Sequence, residues 1–247
     1  MQRSRSTKGS KKNETRDNHG FPLVKGEEDL LTIKRLGPQI PSDFHPYISR
    51  MQDVIPDGHC VYRSVAVGLG YPEHAWPRIR HDLLLEIYLN ESVWTHVFDR
   101  WDEGDFIRIR DSISWHSVEG CPESHWMEMP HVGLLIAQRY NIILHVLSIQ
   151  GSFTYFPLTV GPINPRPQAI TTLHVNRSHY IHVKLESDYP MPTVNPMWSA
   201  HRTLAAEQWE DMYRPRLQHY HSIVNPKKSS DRHKAPSIHL IEDSSKT

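Results

Sequence analysis

Residues 56–70 of the chain read PDGHCVYRSVAVGLG and contain its most distinctive local pattern. It opens with a turn signal, because proline, aspartate and glycine each favour tight turns for a different steric reason. Val61, Val65 and Leu69 follow at intervals of four residues, which places them on one face of a helix. The sequence therefore predicts a turn and then a helix over 60–69, with Cys60 where the turn meets the helix.

Cys60 is a candidate nucleophile because of this position. The amides and the dipole of a helix N-terminus stabilise a thiolate, which is the reactive form of cysteine. Gly58 allows the backbone to turn tightly before the thiol, and the amides around it are suited to forming an oxyanion hole. The alternative reading of the same pattern is a small buried hydrophobic side chain.

The rest of the chain reads as helices first and strands later. Apolar spacing predicts helices at 77–90, 92–98 and 130–140, and a polar helix at 198–214 that Pro215 kinks or ends. Strands are predicted at 141–149, 153–156 and 179–185. This order indicates an α+β fold.

A cysteine nucleophile needs a histidine base, and His179 is favoured for that part. It begins the predicted strand 179–185, far downstream of Cys60, as in papain-type enzymes. Alternation places His179 on the apolar face with Ile181 and Val183, and His182 on the opposite face, toward solvent. His145, His174 and His182 remain competitors by spacing alone.

Composition excludes several classes of protein. The 247 residues carry 28 Lys and Arg against 28 Asp and Glu, so no net positive charge attracts nucleic acid. No apolar run is long enough to span a bilayer, and the N-terminus lacks the apolar segment of a secretion signal. Two cysteines, Cys60 and Cys121, cannot form an all-cysteine zinc site. We expect a monomeric cytoplasmic or nuclear protein without metal or cofactor.

Three blocks of the sequence carry a resemblance to a known family. Residues 56–70 resemble the nucleophile box of the ovarian-tumour (OTU) cysteine proteases, in which Asp-Gly-x-Cys precedes an aromatic residue, an arginine and a small residue. The matching positions are Asp57, Gly58, Cys60, Tyr62, Arg63 and Ser64. Residues 126–148 resemble the middle block of OTU-like domains associated with Mutator-like transposases and far-red-response-type proteins. Residues 176–185 are similar to the closing histidine block.

The resemblance covers about residues 44–186 and implies both a fold and an activity. The fold is papain-like, with a central, mostly antiparallel sheet flanked by helices and a cleft between the cysteine helix and the histidine strand. The activity is cleavage of ubiquitin or a ubiquitin-like modifier from lysine. By position, Cys60 matches the nucleophile and His179 the general base.

The third catalytic residue is less well defined. Many relatives place an aspartate or asparagine two positions after the histidine, where this chain has Ile181, which accepts no hydrogen bond. Asp57 is the favoured substitute and Asn176 the second. Asp57 equally fits a cap for the following helix. We expect the Cys60 sulfur within about 4 Å of an imidazole nitrogen of His179.

The predicted organisation is a basic disordered tail at 1–20, an OTU-like catalytic domain at 38–188, a C-terminal helical extension at 189–224 and a disordered tail at 225–247. An alternative function is a weak or inactive OTU-like domain that binds ubiquitin or another partner within a transposon-derived protein. A nucleic-acid accessory domain has support only from the basic residues 1–16.

Overall fold

A mixed sheet forms the centre of the protein, in a computed structural model that describes residues 32, 34–100, 102–186 and 188–226. Within these residues the strands are β1 (Ile48–Gln52), β2 (Ile143–Leu147), β3 (Phe153–Tyr155), β4 (Ala169–Val175), β5 (His179–Leu185) and β6 (Thr193–Val194). They lie in the order β1-β5-β4-β2-β3-β6. The pairs β1–β5, β4–β5 and β2–β3 are antiparallel. The pairs β2–β4 and β3–β6 are parallel.

Helices flank this sheet, so the α+β prediction is confirmed. The α-helices are α1 (Cys60–Gly68), α2 (Trp76–Leu89), α3 (Glu91–Phe98), α4 (Asp105–Ile113), α5 (His131–Tyr140), α6 (Pro196–His201) and α7 (Gln208–Val224). Short 3-10 helices occupy Gly37–Gln39, Ser42–Tyr47, Glu73–Ala75 and Glu123–His125.

The helix that carries Cys60 packs on one face of the sheet, against β4 and β5. It ends at Gly68, and two residues later Gly70 has a φ of +83°, the left-handed conformation that follows many helices. Val61 and Val65 are buried as predicted, in a cluster that also holds Leu144 of β2 and Ile170 of β4. This packing fixes the axis of α1 over the histidine strand β5.

The opposite face of the sheet is covered by a second cluster. Ile181 and Val183 of β5 lie there with Phe44 and Ile48, and with Tyr220 from α7. Both faces of β5 are therefore covered, and His182 is partly buried rather than facing solvent as predicted. The residue next to it on the α1 side is Gly68, where an added Cβ would come within 3.3 Å of the His182 ring.

The C-terminal residues form two helices rather than the single helix predicted at 198–214. Pro215 lies inside α7 and does not end it. Trp198 and Trp209 are buried in the cluster that contains α1, and β6 pairs with β3. The segment predicted as an extension thus contributes side chains and a strand to the body of the fold.

The two predicted disordered tails, 1–20 and nearly all of 225–247, lie outside the described residues. Within the described part, no helix has both the length and the apolar character needed to cross a membrane.

Candidate active site

The turn before α1 is held tightly by its neighbours. The Asp57 carboxylate accepts a hydrogen bond from the His59 amide at 3.0 Å, and the Asp57 carbonyl accepts one from the Cys121 amide at 2.8 Å. Gly58 has a φ of +83°, and a Cβ there would lie 2.4 Å from the Cys121 carbonyl oxygen. Only glycine fits at this position, for both conformational and steric reasons.

The Cys60 thiol is buried where α1 meets the start of β5. Cys60 is 6% exposed, and its sulfur lies 4.0 Å from the Ser178 carbonyl oxygen. Burial raises the pKa of the Cys60 thiol, and hydrogen bonds from the backbone at Tyr180 and Val61 offset only part of that effect. The sulfur therefore contacts the backbone on both sides of His179, as a protonated thiol.

His179 forms a hydrogen-bonded pair with an acid that the sequence analysis did not single out. Its Nε2 lies 2.7 Å from Oδ1 of Asp53, the residue that directly follows β1. With Nε2–H donating to the carboxylate, the lone pair of the neutral ring is on Nδ1. That nitrogen is buried and has no hydrogen-bond partner among the described residues.

The environment of Asp53 favours the carboxylate. Burial by itself would raise the pKa of Asp53, but the hydrogen bond and charge of His179, the Val54 amide and the charge of Arg35 together lower it. An ionised acceptor next to the ring nitrogen fixes the tautomer and stabilises the imidazolium that forms when the ring takes a proton.

The two residues proposed from the sequence as the third member lie elsewhere. Asp57 accepts from the Nε of Arg63 at 3.1 Å and caps the turn through the His59 amide. The Asn176 side-chain oxygen accepts from the Gln39 amide at 2.8 Å. Ile181, two residues after His179, is fully buried on the far face of the sheet. Asp53, not Asp57 or Asn176, contacts the imidazole.

A buried arginine, also absent from the sequence prediction, supports the turn from behind. Arg80 is 0% exposed. Its guanidinium donates to the His59 Nδ1 at 3.2 Å, to the Ser112 carbonyl at 2.7 Å and to the Cys121 sulfur at 3.2 Å. It also donates to the carbonyls of Ile113 and His125. Arg80 therefore joins the residue before Cys60 to the loop that lies against Gly58.

His59 completes this support as a neutral ring. It stacks on Trp76 with centroids 3.6 Å apart, and its Nε2 lies 3.1 Å from the Ser117 carbonyl. Burial and then the Arg80 charge lower the pKa of His59 to about 4. Since Nδ1 accepts from Arg80, the proton is on Nε2 and donates to Ser117.

The structure places the Cys60 sulfur against the backbone on both sides of His179, at Ser178 and Tyr180, and not in contact with the His179 ring. The buried Nδ1 is unpaired, so the described residues contain no hydrogen bond between the thiol and the ring. Catalytic hydrogen bonds are often long in an enzyme without substrate. An imidazole with one unpaired nitrogen and one carboxylate-bound nitrogen has the chemistry of a general base, and its backbone neighbours contact a thiol at a helix N-terminus.

Within the residues that the structure describes, no group of three or more His, Cys, Asp or Glu side chains is arranged to hold a metal ion. Cys60 and Cys121 are both free.

Solved structures similar to this chain include three OTU domains. The OTUD1 OTU domain matches with a TM-score of 0.41 and 19% identity, over 55% of this chain and 85% of that one. The viral OTU domain protease from Dera Ghazi Khan virus matches with a TM-score of 0.41 and 14% identity, over 58% and 85%. The Hazara virus OTU bound to ubiquitin matches with a TM-score of 0.40 and 14% identity, over 56% and 82%.

No protein-family model and no curated protein matches the chain.

Proposed function

We propose that the protein is an OTU-like thiol isopeptidase that removes ubiquitin or a ubiquitin-like modifier from lysine. One arrangement carries the proposal: the Cys60 sulfur lies against the backbone that flanks His179, and Nε2 of that ring is bonded to the Asp53 carboxylate. The order and chemistry of these residues agree with the sequence resemblance to OTU proteases, with Asp53 in place of the expected Asp57.

The first step is activation of the thiol. In the resting arrangement Cys60 is directed at the Ser178 carbonyl at 4.0 Å, an acceptor that favours the protonated form. A change in the side-chain rotamer of Cys60 directs the thiol at Nδ1 of His179, and the lone pair of that nitrogen then takes the thiol proton. Asp53 holds Nε2–H and stabilises the resulting imidazolium.

The second step is attack on the isopeptide carbonyl. The thiolate sulfur adds to the carbonyl carbon, and backbone amides at the start of α1 stabilise the oxyanion. Collapse of this intermediate breaks the C–N bond, and His179 protonates the departing lysine amine. Water, deprotonated by the same ring, then hydrolyses the thioester and releases the carboxylate and the free thiol.

The test is a ubiquitin probe with a C-terminal electrophile. We expect the wild-type protein to be labelled once, Cys60→Ala to lose the label and Cys121→Ser, which removes the other cysteine, to keep it. Labelling that persists in Cys60→Ala, or none in the wild type, would refute the isopeptidase proposal. Ubiquitin binding without labelling would identify an inactive binding module instead.

A further inference from the structure

The N-terminal residues 34–40, here called the N-terminal clamp, contact both structural supports of His179. Arg35 forms an ion pair with Oδ2 of Asp53, the carboxylate oxygen that His179 does not use. Gln39, one helical turn later, binds Asn176 in the turn between β4 and β5. Its Nε2 donates to the Asn176 side-chain oxygen at 2.8 Å, and its Oε1 accepts from the Asn176 amide at 2.6 Å.

Each contact restrains a different part of the histidine's setting. The ion pair with Arg35 limits rotation of the Asp53 carboxylate, which accepts the hydrogen bond from Nε2–H of His179. The turn at Asn176 leads directly into His179, and both Asn176 and Arg177 adopt left-handed backbone conformations, with φ of 52° and 62°. This conformation is uncommon for a residue such as Arg177, and the two hydrogen bonds between Gln39 and Asn176 restrain the turn.

The clamp is anchored by its own apolar residues. Leu36 and Ile40 are each 3% exposed, and both belong to the cluster beneath the sheet that contains Ile181 of β5. Arg35 and Gln39 therefore reach the site from a fixed base, although the Arg35 side chain itself is 62% exposed.

We infer that Arg35 and Gln39 are positioning residues for the proposed reaction, acting on His179 through Asp53 and through the β4–β5 turn. This inference rests on the proposed function. Neither residue contacts Cys60 in the structure's hydrogen bonds or ion pairs, so the expected effect is on the turnover step. A further consequence is that the catalytic unit begins no later than residue 35, not at residue 38.

The first experiment measures steady-state hydrolysis of a fluorogenic ubiquitin substrate by Arg35→Gln and Gln39→Ala. We expect each change to lower kcat about three- to tenfold, with KM unchanged within a factor of two. Lys34→Gln is the matched control, because it removes an exposed neighbouring charge that forms none of these contacts. Wild-type values of kcat in both variants would overturn the inference.

A salt series separates positioning from a general loss of stability. Because Arg35 is exposed, added salt weakens its pair with Asp53. We expect kcat of the wild type and of Lys34→Gln to fall between about 0.05 and 0.5 M NaCl, and kcat of Arg35→Gln to be nearly constant. A parallel fall in all three proteins would contradict the assignment of Arg35.

A measurement without ubiquitin keeps the inference testable if the wild type turns over no ubiquitin substrate. Iodoacetamide modification of Cys60, followed by mass spectrometry of its peptide, reports how readily the thiol is deprotonated by its neighbours. A rate reduced about threefold or more in Arg35→Gln and Gln39→Ala, but not in Lys34→Gln, supports positioning of His179 for a different substrate. Equal rates in all four proteins overturn it.

Discussion

Two aspartates lie seven and three residues before Cys60, and their contacts assign them different tasks. Asp53 bonds the His179 ring, whereas Asp57 bonds Arg63 and caps the turn. A carboxylate that holds the base acts on the rate, because it sets the tautomer and the orientation of the ring. A carboxylate that caps a turn acts mainly on stability.

The prediction at this residue pair is a crossed pattern. We expect Asp53→Asn to lower kcat about a hundredfold or more, since an amide does not stabilise imidazolium as a carboxylate does. We expect Asp57→Asn to lower the free energy of unfolding by about 1 kcal/mol with a smaller effect on kcat. Ubiquitin hydrolysis and urea unfolding of both variants test this. A larger loss of kcat in Asp57→Asn would restore Asp57 as the orienting residue.

Replacing Arg80 removes a buried guanidinium that donates hydrogen bonds to several acceptors. In Arg80→Met the carbonyls of Ser112, Ile113 and His125 lose a donor in a buried site. We expect the free energy of unfolding to fall by about 3 kcal/mol. Arg78→Met, an exposed arginine on the same helix with a 3.6 Å ion pair to Asp82, should cost less than about 1 kcal/mol. Urea unfolding of both variants tests this. Equal losses of unfolding free energy would show that the buried hydrogen bonds of Arg80 contribute no more than the exposed ion pair of Arg78.

At the scale of elements, the turn-helix unit around α1 offers an internal control. Gly58 and Gly70 both have a φ of +83°, but a Cβ at Gly70 meets nothing within 4 Å, whereas one at Gly58 meets Cys121 and Trp126. Gly70→Ala should therefore show only the backbone penalty, about 1 kcal/mol. Gly58→Ala should lose about 2 kcal/mol more, because the loop behind it must move.

The same pair of variants reports on chemistry. Because the Gly58 turn places Cys60, we expect labelling by the electrophilic ubiquitin probe to slow at least about tenfold in Gly58→Ala. Gly70 lies at the far end of α1, so its variant should label at nearly the wild-type rate. Similar unfolding free energies and labelling rates in the two variants would show that contact with Cys121 is unimportant.

The elements that sequence patterns predicted are those with regular apolar spacing and clear boundaries. The prediction of a helix over 60–69 agrees with α1 (Cys60–Gly68), and that of a strand over 179–185 agrees with β5. A turn signal precedes the helical spacing of residues 60–69, and residues 179–185 alternate as a strand does. These two elements carry the candidate nucleophile Cys60 and the candidate base His179, whose catalytic roles stay predictions.

The sequence did not predict the role of Asp53, because the residues of β1 before it do not alternate as a strand does. Its register with β5 is irregular between Ile48 and Arg50, so the buried residues Ile48 and Met51 are three apart instead of two. Without that strand, nothing in the local sequence places Asp53 beside His179. The contact is made across the sheet, by pairing of residues that are distant in the chain.

Pro215 does not end its helix, contrary to the sequence prediction, and the reason lies in tertiary packing. Proline removes one hydrogen bond and favours an end to a helix. In α7 that local cost is offset by packing on both sides of it: Trp209 stacks on Phe156 at 5.6 Å, and Tyr220 stacks on Phe44 at 5.8 Å. The tendency of proline to end a helix is overcome here because the residues on both sides of it are packed against the body of the protein.

At the scale of the whole molecule, burial of histidines makes the fold sensitive to acid. His145 is fully buried in β2, with Nδ1 3.0 Å from the Thr154 hydroxyl and Nε2 3.0 Å from the Tyr189 hydroxyl. The Thr154 hydroxyl donates to the Pro192 carbonyl, so it accepts from Nδ1–H, and Nε2 accepts from Tyr189. In the neutral ring both nitrogens are thus satisfied, Nδ1 as a donor and Nε2 as an acceptor.

Burial, and then the nearby charge of Arg216, lower the pKa of His145 to about 3 from 6.5. Below pH 6.5 the unfolded chain binds a proton that the folded protein does not, so stability falls as the pH falls, by about 1.4 kcal/mol per pH unit until the folded pKa is reached. His59 and His182, whose pKa values burial lowers to about 4, act in the same direction. Stability is thus largest above pH 6.5 with respect to these groups.

Urea unfolding at pH 7.5 and pH 5.0 tests the share of His145. We expect the wild type to lose about 2 kcal/mol over this interval through His145 alone. In His145→Gln the free energy of unfolding starts lower at pH 7.5 but falls by about 2 kcal/mol less, because the side chain no longer titrates. The control is His74→Gln, which removes an exposed histidine. If the unfolding free energies of His145→Gln and of the wild type fall by the same amount between pH 7.5 and pH 5.0, then the buried His145 ring is not a source of the acid sensitivity.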